Sequence, residues 1–199
     1  MAEDIWAKIN RLRVKDMSTL APVVFNAVNH GISLCKGDSV VVTLSVGRTE
    51  TLQLDPVVVE TLRVQELQEI YFLQGSSRQR SVLKSMHCYG VAVDVISESF
   101  GWFTNKASIE RWPDKDVRAR VAIQWYRAVA ERLMASKEMA WGGLWKRFPD
   151  SPHFQSARVP AVPNEAMISA YQKAGGGLAG REAVWKIFHL DATSVPVLA

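Results

Sequence analysis

Between Asp114 and Ser136, the residues Val117, Val121, Trp125, Val129 and Leu133 form an unbroken i, i+4 row. One face of an α-helix buries such a stripe against a core. Weaker helical spacings lie on either side. Asp4 can cap a helix in which Ile5, Ile9 and Leu12 recur. A second helix is predicted from about Ser18, with Pro22 in its first turn, Val24, Ala27 and Val28 on its buried face, and a stop at Gly31. Residues 64–74 read as a helix ended by Gly75, and 164–173 as a weak helix followed, after a triple-glycine break, by a short one reaching about His189.

Strand patterns fill the gaps. Residues 39–45 are β-branched, with Gly47-Arg48 as a turn and 51–54 as the hairpin partner. Residues 57–62 read as a strand, and 91–96 form a short apolar run best read as a buried strand. Residues 76–84 are a polar, basic loop, and 141–154, with paired glycines and two prolines, are loop and short strand. The mix is α+β.

Composition narrows this picture only a little. The 199 residues, 48% hydrophobic and 22% charged, fit one globular domain with or without an appendage. Two cysteines exclude a disulfide-stapled scaffold, a four-thiolate zinc knuckle and an iron–sulfur cluster. Four histidines argue against a multi-histidine cage unless carboxylates help. The net charge of +4 suits a polyanionic partner, but the basic residues are dispersed, so no nucleic-acid partner is expected. The N-terminus lacks the basic and apolar regions of a secretory signal, and no stretch approaches the roughly 18 apolar residues of a membrane span. Synthesis in a bacterial or host cytoplasm and a monomeric chain are the expectations.

Two segments concentrate metal-ligand residues. In the first, Asp94 alternates with Val91, Val93 and Val95, an expensive place for a carboxylate unless it is paired or binds a metal. His87 lies seven residues earlier, the wrong parity for one continuous strand, and Gly90 permits the turn or bulge that would correct it. In the second, Pro149 and Pro152 stiffen the backbone around Asp150 and His153. Taken alone, each segment is more simply read as structure: Asp94 accepting backbone hydrogen bonds, and a turn capped by Asp150.

Together they carry a resemblance. The pattern Ser85-x-His87-x-x-Gly90-x-Ala92-x-Asp94, followed by Trp141-Gly142-Gly143-x-Trp145-x-x-Phe148-x-Asp150-x-Pro152-His153-Phe154-Gln155, resembles the zinc peptidoglycan peptidases. These are the VanY-type D-alanyl-D-alanine carboxypeptidases and the L-alanyl-D-glutamate endopeptidases of bacteria and phage endolysins, which share their architecture with the Hedgehog signalling domain. Arg63, Gln68, Tyr71 and Gly75 are similar to a further stretch of that family. The likeness covers about residues 20–156.

The resemblance implies a small antiparallel sheet flanked by helices, a catalytic domain over residues 1–156, and a C-terminal helical extension, 157–199, without a counterpart. It implies that His87, Asp94 and His153 ligate Zn²⁺, that Asp150 is the acid/base, and that Arg63 faces the substrate carbonyl. Ser85 and Gln68 are candidates for substrate contact or support of the site. Two imidazoles and a carboxylate leave zinc an open position for water, whose pKa falls toward about 7. The implied substrate is the peptidoglycan stem peptide: first the L-alanyl–D-glutamate bond, then a D-alanyl-D-alanine carboxypeptidase or dipeptidase reaction. A non-catalytic Hedgehog-like zinc module is the alternative of another class. A cytoplasmic lytic enzyme would reach the wall through a holin pore.

The chain departs from the family at Leu144, where an Asp is frequent, and in a longer hairpin around residues 38–54. Cys88 adjoins His87, but successive side chains on extended backbone diverge, which argues against a ligand there. Cys35 is expected as a small buried hydrophobe, and His30 at a helix end. Trp102 and Trp112 flank a loop that could line a substrate groove, with core or lid packing as the simpler reading.

Overall fold

In the computed structural model, which describes residues 4–192, Asp4 caps α1 (Ile5–Leu12) by accepting from the Trp6 amide at 3.2 Å. Residues 1–3, which enter the signal-peptide reading, and 193–199, the end of the extension, lie outside the described residues. Pro22 opens α2 (Pro22–Cys35), which runs through Gly31 rather than stopping there. A Cβ on Gly31 would lie 2.6 Å from the Leu133 Cα, so this glycine serves a close helix crossing instead of a cap. His30 is therefore an exposed residue inside the helix, not at its end. Cys35 is fully buried, as a small hydrophobe.

A hairpin follows: β1 (Ser39–Ser45) pairs antiparallel with β2 (Arg48–Gln53), burying Val42 and Leu52. Next come β3 (Pro56–Glu60), α3 (Gln65–Leu73), β4 (Ala92–Ser97), α4 (Lys106–Arg111) and α5 (Lys115–Leu133). Asp114 caps α5, accepting from the Asp116 and Val117 amides at 2.7 and 3.1 Å. Of its predicted row, Val121, Trp125, Val129 and Leu133 are fully buried. Gln124 on the same helix bonds both the amide and carbonyl of Thr43, closing part of the hairpin's open edge.

The chain ends in β5 (Met139–Trp141), β6 (His153–Ser156), α6 (Glu165–Lys173) and α7 (Gly177–Ile187). The second sheet has the order β3-β4-β6-β5, antiparallel throughout. The α+β expectation, a small antiparallel sheet with flanking helices, is what the structure has.

The two C-terminal helices join the main core through Met167, Val184 and Trp185, and the segment after them through Leu190. They lie against the segment just before β4: the Trp185 indole donates to the Tyr89 carbonyl at 2.7 Å, and the Tyr89 and Tyr171 rings meet edge to face at 5.4 Å. A smaller cluster of Ile9, Leu67 and Ile70 ties α1 to α3. Among the described residues no helix is long and apolar enough to cross a membrane.

Candidate active site

The sheet register makes the site. Glu60 on β3 is the cross-strand partner of Asp94 on β4, and Asp94 is the partner of His153 on β6. Three ionisable residues thus stand in one row across three strands, where opposed side chains share a face. A register irregularity between Val58 and Glu60 brings the glutamate into this row.

His87 arrives by another route. It lies on a short 3₁₀ turn, Met86–Tyr89, that Gly90 ends in the left-handed conformation at φ 64°. A Cβ on Gly90 would overlap the Thr19 carbonyl oxygen, and the Gly90 carbonyl accepts from the Ala21 amide at 2.8 Å. Only glycine satisfies both demands. The turn breaks strand parity and swings His87 over Asp94.

His87 Nε2, Asp94 Oδ1 and His153 Nδ1 converge: His87 lies 3.2 Å from each of the other two, which are 3.1 Å apart. Tetrahedral zinc with bonds of about 2.0–2.1 Å separates its ligand atoms by about 3.3–3.4 Å. The observed triangle falls within a few tenths of an ångström of that edge. Its donor set, two imidazole nitrogens and one carboxylate oxygen, is the chemistry zinc takes. Both histidines are buried, and the three residues form a group able to hold a metal ion.

Charge follows geometry. Burial opposes ionisation of Asp94, but the two imidazoles outweigh it and hold the carboxyl well below its ordinary value. Burial likewise disfavours a charged His153, yet its hydrogen bond and attraction to Asp94 raise its pKa. The outer nitrogen of His153, Nε2, meets Gln155 Oε1 at 3.2 Å, and the Gln155 amide group donates to the Pro160 carbonyl at 3.1 Å.

Asp150 sits on the loop between β5 and β6. Its amide donates to the Gly142 carbonyl at 3.0 Å, and its carbonyl accepts from the His153 amide at 3.2 Å. A Cβ on Gly142 would stand 2.6 Å from the Asp150 carbonyl oxygen, which explains one glycine of the pair. The Trp141 indole donates to the Ser151 carbonyl at 2.7 Å, fastening the loop. Burial and the Asp94 charge raise the pKa of the Asp150 carboxyl, against the pull of His153, His87 and Arg63.

Arg63 closes the opposite wall. Its Nε donates to Glu60 Oε1, its Nη1 to Gln68 Oε1 at 3.3 Å and its Nη2 to Asp94 Oδ2 at 3.4 Å, over the Tyr71 ring at 4.9 Å. Burial disfavours its charge, but Glu60 and Asp94 more than compensate and raise its pKa. Gln68, fully buried, passes the linkage on to Ser77 Oγ at 2.8 Å.

All seven candidate residues line one cleft of about 520 Å³: His87, Asp94, His153, Asp150, Arg63, Gln68 and Ser85. Its walls include Trp102 and Trp145, whereas Trp112 is buried in the core. Cys88 is turned away from the cluster, toward the C-terminal helices, where burial pushes its thiol up to about 11 and Tyr171 supplies a hydrogen bond. A thiol so disfavoured as thiolate makes a poor ligand.

Sequence reasoning overlooked Glu60 and gave Gln155 no role. A signal existed for each. Glu60 interrupts a β-branched run just as Asp94 does, and Gln155 shares strand parity with His153.

Residues 78–156 match the family model described as D-alanyl-D-alanine carboxypeptidase. The matched stretch contains both segments on which the resemblance to the zinc peptidoglycan peptidases rests, so over this stretch the chain carries that family's pattern. Arg63 and the C-terminal helices lie outside it. Among solved structures, the chain is similar to the L-Ala D-Glu endopeptidase ChiX of Serratia marcescens, with 22% identity, 74% of this chain and 88% of that one covered, and a TM-score of 0.41.

Proposed function

We propose that the chain is a zinc-dependent peptidoglycan hydrolase that cuts the stem peptide, with the L-alanyl–D-glutamate bond as its first substrate. The convergence of His87, Asp94 and His153 beside Asp150 in one cleft carries this reading. A zinc ion held by those three would supply Lewis acidity and lower the pKa of water toward neutrality.

The chain's own residues do the rest. Asp150 takes a proton from the attacking water and returns it to the departing amine. Arg63, permanently charged, stabilises the negative charge that develops on the scissile carbonyl oxygen. Glu60, Gln68 and Tyr71 keep the guanidinium from collapsing onto Asp94 alone. The cleft is also lined by Arg13, Arg78 and Lys84, a cationic setting that suits a stem peptide rich in carboxylates.

The description of the matching family favours a second reading, a D-alanyl-D-alanine carboxypeptidase. A zinc module without turnover is less well supported, because a binding module has no use for a proton carrier at Asp150.

Incubation with purified peptidoglycan, with and without chelator, followed by mass analysis of the released fragments, tests all three. New N-terminal D-glutamate is the expected product. Free D-alanine would transfer the assignment to the carboxypeptidase. Absence of any metal-dependent product from every wall type would overturn the enzyme.

A further inference from the structure

The two imidazoles of the cluster are supported unequally. His153 has Gln155 on its outer nitrogen at 3.2 Å. The outer nitrogen of His87, Nδ1, is buried and has no hydrogen-bond partner. What faces it is a carboxylate: Glu60 Oε1, 3.9 Å away on a side chain that is itself 1% exposed. Glu60 also accepts from Arg63 Nε and from the Tyr71 hydroxyl at 3.0 Å, and Arg13 Nε lies 3.9 Å from its second oxygen.

We propose that Glu60 is a positioning residue: it selects the His87 tautomer protonated at Nδ1, so that Nε2 presents its lone pair to the metal, while the same carboxylate holds Arg63. The inference rests on the metal-site reading above. A buried carboxylate needs donors, and a buried N–H needs an acceptor. Here Nδ1 lacks an acceptor, and the carboxylate that already accepts from Arg63 and Tyr71 stands about 1 Å short of a hydrogen bond of about 2.9 Å to it. A metal-bound histidine commonly donates its other N–H to a carboxylate, which fixes the ring and makes it a stronger ligand. In this chain the arrangement also links the two walls of the cleft, because one carboxylate serves both the ligand and the guanidinium.

The test uses the full-length chain. Long-range ¹⁵N–¹H NMR of the wild-type protein, metal-free at alkaline pH and zinc-loaded, reads the His87 tautomer directly. A proton on Nδ1 in both states is expected, and a proton on Nε2 in the metal-free protein overturns the proposal whatever any variant does. Glu60→Gln and Glu60→Leu are then compared by competition against a chromogenic zinc chelator. The expected loss of zinc affinity is about 10- to 100-fold, larger for the leucine, with Glu60→Gln keeping a wild-type circular dichroism spectrum. Unchanged affinity in both variants overturns the proposal. Neither readout requires wall cleavage. A chain whose zinc affinity depends on Glu60 but which releases no peptide would therefore sink the hydrolase and leave this inference standing.

Discussion

The two histidines of the cluster differ in what places them. His153 is put opposite Asp94 by sheet register, and its outer nitrogen is held by a residue two positions along the same strand. Strand pairing between residues 59 apart in the sequence builds that half. His87 sits on a turn made possible by Gly90 and backed by residues far away in the chain: Thr19, Trp185 and, on its outer nitrogen, Glu60. That half depends on tertiary packing. A ligand set by register tolerates distant change, whereas one set by packing should register it, so the two walls of the cleft ought to fail in different ways.

The largest expected effect lies on the side of the proposed proton carrier, Asp150. Asp150→Asn should lower turnover by about 10²–10⁴-fold while zinc affinity stays near wild type, since the carboxylate is not among the three converging ligands. Single-turnover assays beside chelator competition separate the two quantities. Full activity in this variant would remove the proposed proton carrier. The glycines give the paired comparison. Gly142→Ala should displace the Asp150 carbonyl, 2.6 Å from the new Cβ, and press on His153 at 3.2 Å, so turnover should fall most and zinc affinity with it to a lesser degree. Gly90→Ala must hold a side chain at positive φ, about 1–3 kcal/mol by itself, and must also move Thr19. It should strike stability and zinc affinity first, read by thermal melts and chelator competition. Equal damage from the two alanines would dissolve the distinction between the walls.

The sequence was most legible where neighbours decide the outcome. The α5 row and the strand at Asp94 are local patterns of burial and form as expected; the hairpin forms too, with its second strand starting at Arg48 rather than at 51. Gly31 misled because a glycine that ends a helix and one that admits another helix look identical in a single chain, and only Leu133, 102 positions on, distinguishes them. His87, Asp94, Asp150 and His153 were visible as a motif, and their parity conflict pointed to the turn at Gly90. Glu60 was missed although it lies in a β-branched run, because its significance comes from the cross-strand row with Asp94 and His153, which no local window contains. The role of α6 and α7 was hidden for the same reason: nothing in their composition says which surface they cover.

What they cover gives a smaller prediction. Trp185→Phe removes the N–H bond to the Tyr89 carbonyl, worth about 1 kcal/mol, together with one ring of a buried indole. Because Tyr89 belongs to the turn carrying His87, zinc affinity should fall several-fold. The matching change at Trp141, which removes the bond to the Ser151 carbonyl, should alter turnover more than zinc affinity. Chelator competition and turnover on both variants check it, and a Trp185→Phe protein with wild-type affinity would mean that the C-terminal helices only stabilise the fold.

The smallest effect is a pH dependence shared by the two histidines' common partner. In the metal-free chain His153 has a raised pKa, so its contribution to stability is complete below the unfolded value of about 6.5 and is lost as pH rises through the folded value. Asp94 is depressed, so its contribution is complete above about 3.9 and is lost as pH falls through its folded value. Protons therefore stabilise the empty cluster in mildly acid solution, and zinc must displace them to bind. The rise in Tm on adding zinc should grow by a few degrees between pH 5.5 and pH 8, because the metal-free protein weakens over the range in which metal binding strengthens. His153→Ala should abolish the rise at both pH values. Glu60→Gln, which leaves all three ligands in place, should reduce it while keeping its slope. A zinc-induced shift independent of pH would show that the metal binds elsewhere than at these imidazoles.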